Sequence, residues 1–292
     1  MCCNVISYNE RVTYMTMEIG KVVLKTKSKH TLAAFYNEII GLKVMADEDN
    51  RIALGIDGRV LLELMEVKQG MTAKQAKTGL YHTAFLLPSR AELGSFLQHL
   101  LESNYPIDGA GDHIYSEALY FQDPDGNGIE VYADRAREDW QRDELGNLPM
   151  ATNEVDGDGI LMAGAELDWN GAPSDTTIGH IHLQVSHLEE TRHFYETVLG
   201  FQVTTEIPSA LFFADGDYHH HIGTNIWAGR DLPKLDELET GLAYFTIQTE
   251  AIGVLEERLK QFDIAFEKES DNVIRLEDPN GIAVKIVNNT KS

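Results

Sequence analysis

Gly111-Asp112-His113 and, a few residues on, Leu119-Tyr120-Phe121-Gln122-Asp123-Pro124-Asp125-Gly126-Asn127-Gly128-Ile129-Glu130 bring an imidazole, a phenol and a carboxylate into one short stretch. The pattern predicts a strand carrying His113 and Tyr120, a tight Asp-Pro-Asp-Gly turn, and a second strand holding Glu130. Neighbouring strands then present three groups that can donate, accept and hold protons. The carboxylates of Asp123 and Asp125 belong to the turn and need no chemical role. A second dense stretch is Asp217-Tyr218-His219-His220-His221-Ile222-Gly223-Thr224-Asn225-Ile226-Trp227. In a strand, His219, His221, Gly223, Asn225 and Trp227 share one face.

The elements that must position these groups come from an internal repeat. Ile19–Thr26 reads as a strand, and Thr31–Leu42 has helical spacing with a terminating Gly41. Three short strands follow, at Lys43–Met45, Arg51–Ile56 and Arg59–Val67. This βαβββ unit recurs from Gly79, again from Ile178, and again from Gly241 to Val287. Phe35-Tyr36 is echoed by Phe194-Tyr195, and Asp123-Pro124-Asp125-Gly126 by Asp278-Pro279-Asn280-Gly281. The expected organisation is an N-terminal extension at 1–16, a two-module domain at 17–134, a charged, Gly-rich linker at 135–175, and a second two-module domain at 176–289. Met15 and Met17 are candidate starts.

Composition bounds the partners. The 292 residues are 43% hydrophobic and carry a formal charge of −23. Such acidity argues against nucleic acid and against an anionic membrane surface. The sequence has no secretory pattern at its start and no apolar run long enough to span a bilayer. The only cysteines, Cys2 and Cys3, are adjacent and poorly suited to a structural disulfide. A cytoplasmic protein is expected, and homo-oligomerisation is left open.

The repeat and its landmarks resemble the vicinal oxygen chelate superfamily of glyoxalases, bleomycin-resistance proteins and extradiol dioxygenases. The His113–Glu130 stretch is similar to the signature of the ring-cleaving dioxygenases, of the catechol 2,3-dioxygenase type. The resemblance implies an α+β fold of four βαβββ modules forming two tandem domains, with metal ligands on the first and last strands of each module. Those positions hold Lys21 and Glu63 in module one, His82 and Glu130 in module two, His180 and Asn225 in module three, and Tyr244 or Phe245 with Lys285 in module four. A lysine ammonium cannot ligate a cation. His82, Glu130 and His180 remain, two histidines and one carboxylate, the composition of non-haem Fe(II) oxygenase sites. Mn(II) accepts the same donors. This set requires module two to meet module three across one cleft.

By the same resemblance, a histidine of the third module takes and returns a proton of the diol. His221 is the expected residue, with His220 in reserve if the strand is bulged. His113 is expected on the substrate hydroxylate, and Tyr120 on substrate or Glu130. The implied activity is opening of a catechol by O2 to a semialdehyde, so the expected partners are a small aromatic diol and O2. Two rival readings are a metal-dependent glyoxalase or isomerase, with Glu63 or Asn225 completing the coordination, and a binding protein without turnover. Taken singly, a strand histidine is usually a core residue, and a buried glutamate usually closes an ion pair. The coincidence of three ligand types at three expected positions is what points to a site.

Overall fold

A computed structural model describes residues 16–142, 144, 148–149 and 151–289. The expected N-terminal extension, with both cysteines, lies essentially outside them. Module one comprises β1 (Met17–Thr26), α1 (Lys29–Phe35) running into a wider π turn at Tyr36–Ile40, β2 (Lys43–Glu48), β3 (Arg51–Ile56) and β4 (Arg59–Glu66). Module two has β5 (Gly79–Leu87), α2 (Arg90–Glu102), β6 (Gly109–Asp112), β7 (Ser116–Gln122) and β8 (Gly128–Asp134). Within the stretch read as a linker lies α3 (Gly157–Gly164). Module three has β9 (Thr177–Gln184), α4 (Leu188–Arg192) continuing as a π turn at His193–Leu199, β10 (Gln202–Ile207), β11 (Ala210–Ala214) and β12 (Ile222–Asn225). Module four has β13 (Gly241–Thr249), α5 (Ile252–Gln261), β14 (Phe266–Ser270), β15 (Val273–Glu277) and β16 (Ala283–Asn288).

Local chemistry sets the helix ends. Ser28 and Ser89 accept from backbone N–H groups of Thr31 and Glu92 and open α1 and α2. Gly41 and Gly200 close the first and third modules' helices with φ of 81° and 95°, a region that favours glycine. Asp156 caps α3 by accepting from Gly159. That helix lies on α2 where Gly94 and Gly164 leave no room for side chains between the backbones.

The modules pair crosswise into two eight-stranded sheets. One runs β14-β15-β16-β13-β1-β4-β3-β2, and the other β10-β11-β12-β9-β5-β8-β7-β6. Modules one and four thus share a sheet through antiparallel β1 and β13, and modules two and three through β5 and β9. The landmarks of the repeat tie the two sheets together. Tyr36 of module one donates to the buried Asp123 of module two at 2.9 Å, and Tyr195 of module three donates to Asp278 of module four at 3.2 Å. Each aspartate also accepts backbone N–H groups of its own Asp-Pro turn, from Asp125 and Asn127 in one case and Asn280 and Ile282 in the other. One apolar core then runs through both sheets, from Val22 and Leu62 to Phe85 and Leu183.

Candidate metal centre

β5 is the axis of the site. Its Ala84 pairs with Glu130 of β8 on one side and with His180 of β9 on the other. Side chains two apart on a strand share a face, so His82, Glu130 and His180 point to the same concave side, with only a methyl between them. His82 Nε2 lies 3.0 Å and His180 Nε2 3.2 Å from the same atom, Glu130 Oε2. All three residues are buried, and their ligand atoms fall within 4.8 Å of one another. His82 Nε2 makes no hydrogen bond despite this proximity. A buried ring nitrogen without a partner is costly, and a cation held between it, His180 and Glu130 would satisfy it.

The electrostatics suit a divalent cation. Burial alone would raise the Glu130 carboxyl, but the imidazoles of His180 and His82 draw it well below its ordinary value. Burial pushes His180 down to about 4, against the opposing pull of Glu130. At neutral pH Glu130 is therefore an anion and His180 a neutral donor.

A cleft of about 680 Å3 opens over these groups. His113 and Tyr120 line it, joined by a 2.7 Å hydrogen bond between His113 Nε2 and the phenol oxygen. His113 Nδ1 lies 2.8 Å from the carbonyl of Ala151, which can only accept, so Nδ1 carries the proton and Nε2 accepts from Tyr120. The strand expected to carry both His113 and Tyr120 carries only Tyr120. His113 sits in the bend between β6 and β7, where Ile114 has φ of 73°. Asp112 holds that bend by accepting from Ile114 N and from Arg135. A β-branched residue in this region is strained, and in this bend the His113 ring is held between Ala151 O and the Tyr120 hydroxyl.

His221 does not join the cleft, and here the sequence reading is corrected. Strand β12 begins only at Ile222, and the chain bends through Asp215–His221. Strand alternation therefore does not govern the histidine triplet. His219 and His220, though adjacent, both turn into the cleft. His221 turns the other way, into a separate cavity of about 390 Å3 with Gly20 and Gln248, and accepts from Asp215 N at 3.2 Å. His220 packs its ring on His180 at 4.2 Å, and burial holds its imidazole well below the ordinary range. His182 and Trp227 add aromatic wall, while Tyr132 and Trp140 are buried. Sequence reasoning passed over Asp134, whose carboxylate lies 3.1 Å from His219 Nε2. Its position two residues after Tyr132 on the Glu130 face was the available signal.

The other ligand positions are filled differently. Asn225 is buried outside the cleft lining, its Oδ1 accepting from Trp227 N. Glu63 lies in the other sheet, paired with Lys21 at 2.7 Å and with Arg51. Lys285 stacks over Tyr244 and pairs with Glu269. The modules one–four sheet thus neutralises the carboxylate at its ligand position internally.

The family model for the glyoxalase/bleomycin resistance protein/dioxygenase superfamily matches residues 18–131 and 177–286. The chain belongs to this superfamily. A catechol-2,3-dioxygenase of Bacillus subtilis (strain 168) is 45% identical over 268 residues, 89% of this chain and 93% of the relative. Among solved structures, a putative dioxygenase from Bacillus subtilis subsp. subtilis str. 168 superposes with a TM-score of 0.63 at 12% identity, covering 95% of this chain and 86% of that one. Glyoxalase I from Zea mays superposes with a TM-score of 0.58 at 15% identity, covering 94% and 93%. At such identities the two structures speak for the superfamily's fold alone.

Proposed function

We propose that this protein is an extradiol dioxygenase that uses a non-haem Fe(II) and O2 to open a catechol to a semialdehyde. The observation that carries the reading is the meeting of His82, Glu130 and His180 at one carboxylate oxygen, under a cleft that also holds Tyr120 and His220. The 45% identity to a catechol-2,3-dioxygenase across most of both chains supports it. His82, Glu130 and His180 would hold the metal. When bound, Fe(II), or Mn(II) in its place, supplies Lewis acidity toward the diol and the redox chemistry that activates dioxygen.

The remaining steps fall to the protein's own groups. Tyr120 stands beside Glu130 with its hydroxyl directed by His113, so it positions the ring of the diol over the carboxylate. His113 has both nitrogens engaged, and it acts through Tyr120 or binds a diol oxygen once Tyr120 yields. His220, neutral and facing the cleft, takes the proton of the second hydroxyl and returns it when the ring opens. This role passes from His221 to the residue held in reserve. Leu80 and Phe212 line the apolar flank of the cleft.

The three-donor set favours this reading over a glyoxalase. Asn225 spends its oxygen on Trp227 N, and Glu63 belongs to the other sheet, so neither completes a four-ligand site. The test is anaerobic loading with Fe(II), followed by catechol and air. A yellow ring-opened product with matching oxygen uptake is expected. Iron-loaded protein that consumes no oxygen with any catechol tried would overturn the proposal.

A further inference from the structure

Asp134 closes β8 one turn of the alternation beyond Tyr132, and its Oδ1 lies 3.1 Å from Nε2 of His219. His219 Nδ1 in turn lies 2.8 Å from Nδ1 of His220. Three residues from two modules therefore form a line that runs from the half-buried Asp134 carboxylate to the His220 ring packed against His180. His219 is fixed in this line from every side. Tyr115 stacks on it at 4.7 Å, Tyr218 packs on its other side at 4.0 Å, and Thr204 donates to its carbonyl at 2.6 Å.

Proton counting along the line gives it a direction. A carboxylate only accepts, so His219 Nε2 carries a hydrogen. In neutral His219 the Nδ1 is then a bare lone pair. A 2.8 Å contact between two Nδ1 atoms needs one proton between them, so His220 Nδ1 must donate. His220 Nε2 is left bare. We propose that Asp134 and His219 are positioning residues that lock His220 in its Nδ1–H tautomer and so present a bare Nε2 to the diol. The inference rests on the dioxygenase reading only for what that nitrogen does. There, the diol O–H bond breaks, an Nε2–H bond forms, and the cation on His220 is stabilised by donating toward His219 and, through it, toward Asp134. The same arrangement orders an imidazole in hydrolytic triads on unrelated folds.

The first test needs no metal and no turnover. Long-range 15N–1H spectra of histidine-labelled, metal-free protein report each ring's tautomer. His220 is expected to show a protonated Nδ1 and a bare Nε2. The opposite tautomer at His220 overturns the proposal, whatever the fate of the dioxygenase reading. The second test compares substitutions in iron-loaded protein. Asp134→Asn can offer an N–H to His219 and reverse the line, so kcat should fall by about 10²-fold with KM and iron content held. His219→Leu should lose a similar factor. His219→Gln, whose amide can donate to Asp134 and accept from His220, should keep turnover within about fivefold. Equal loss in the Gln and Leu variants, or a change confined to KM, also overturns it. A wild-type protein with the expected tautomer and no ring cleavage would instead sink only the dioxygenase reading.

Discussion

Glu130 is the residue on which the site turns, because one of its oxygens faces both histidines at hydrogen-bonding range. Removing any one donor leaves two, too few to retain a divalent cation against dilution. His82→Ala, Glu130→Ala and His180→Ala are each expected to cut bound iron, measured by elemental analysis after desalting, by about 10- to 100-fold or more, with turnover lost in step. Full iron occupancy in any of the three would remove that residue from the metal site. His221 predicts the contrary behaviour. It lies outside the cleft, so His221→Gln, which preserves an acceptor for Asp215 N, should keep kcat within about twofold. Its effect belongs to stability. Burial pushes the folded His221 down to about 3, below the ordinary 6.5. The unfolded chain binds this proton first as pH falls, so the stability that neutral His221 contributes is present above about 6.5 and lost on the way down to about 3. Urea midpoints between pH 7 and 4 should fall less steeply in His221→Gln than in the wild type, and identical slopes would refute the assignment.

At the scale of elements, the tyrosines of the repeat explain why Phe-Tyr and Asp-Pro recur together. Tyr36 and Tyr195 each donate to a buried aspartate across the boundary between sheets. Tyr36→Phe should cost about 1–3 kcal/mol of unfolding free energy, read from urea curves, with iron content unchanged. A neutral effect would mean that Asp123 is satisfied by its own turn. Those landmarks, and the strand and helix positions, were legible because apolar periodicity and glycine stops act locally. The crossed pairing was legible too, although no periodicity encodes it. Lysines at Lys21 and Lys285 disqualified two modules, and His82, Glu130 and His180 then had to meet. The histidine triplet was misread because alternation was extended into a segment that is not strand. The bend at Asp215–His221 depends on contacts such as Thr204 with the carbonyl of His219, which are remote in sequence. The close approach of α3 to α2 at Gly94 and Gly164 has the same character. Asp156 announces the helix, but nothing local announces its neighbour.

For the whole molecule, charge is expected to select among the diols that enter the cleft. The chain carries a formal charge of −23. The cleft is lined among the described residues by histidines, aromatics, Asp108 and Glu130, with no lysine or arginine. A catechol bearing a carboxylate would therefore bring a second anion into a cleft whose lining offers it no cationic side chain. At a separation of about 8 Å and an effective dielectric near 20, like charges repel by about 2 kcal/mol, enough to raise KM on the order of tenfold or more. A neutral alkyl substituent suffers no such penalty and gains contact with Leu80, Phe212 and Trp227. 4-Methylcatechol should thus outcompete 3,4-dihydroxyphenylacetate in kcat/KM, with the difference residing in KM. Salt separates the two contributions. The long-range field of the acidic surface is screened over a Debye length of roughly 8 Å at physiological ionic strength, so the gap should narrow as salt rises. Asp108, exposed at the cleft lining, is screened along with the surface, so Asp108→Asn should narrow the gap at low salt and change it little at high salt. Equal KM values for the two diols at low salt would show that the acidic surface does not govern access.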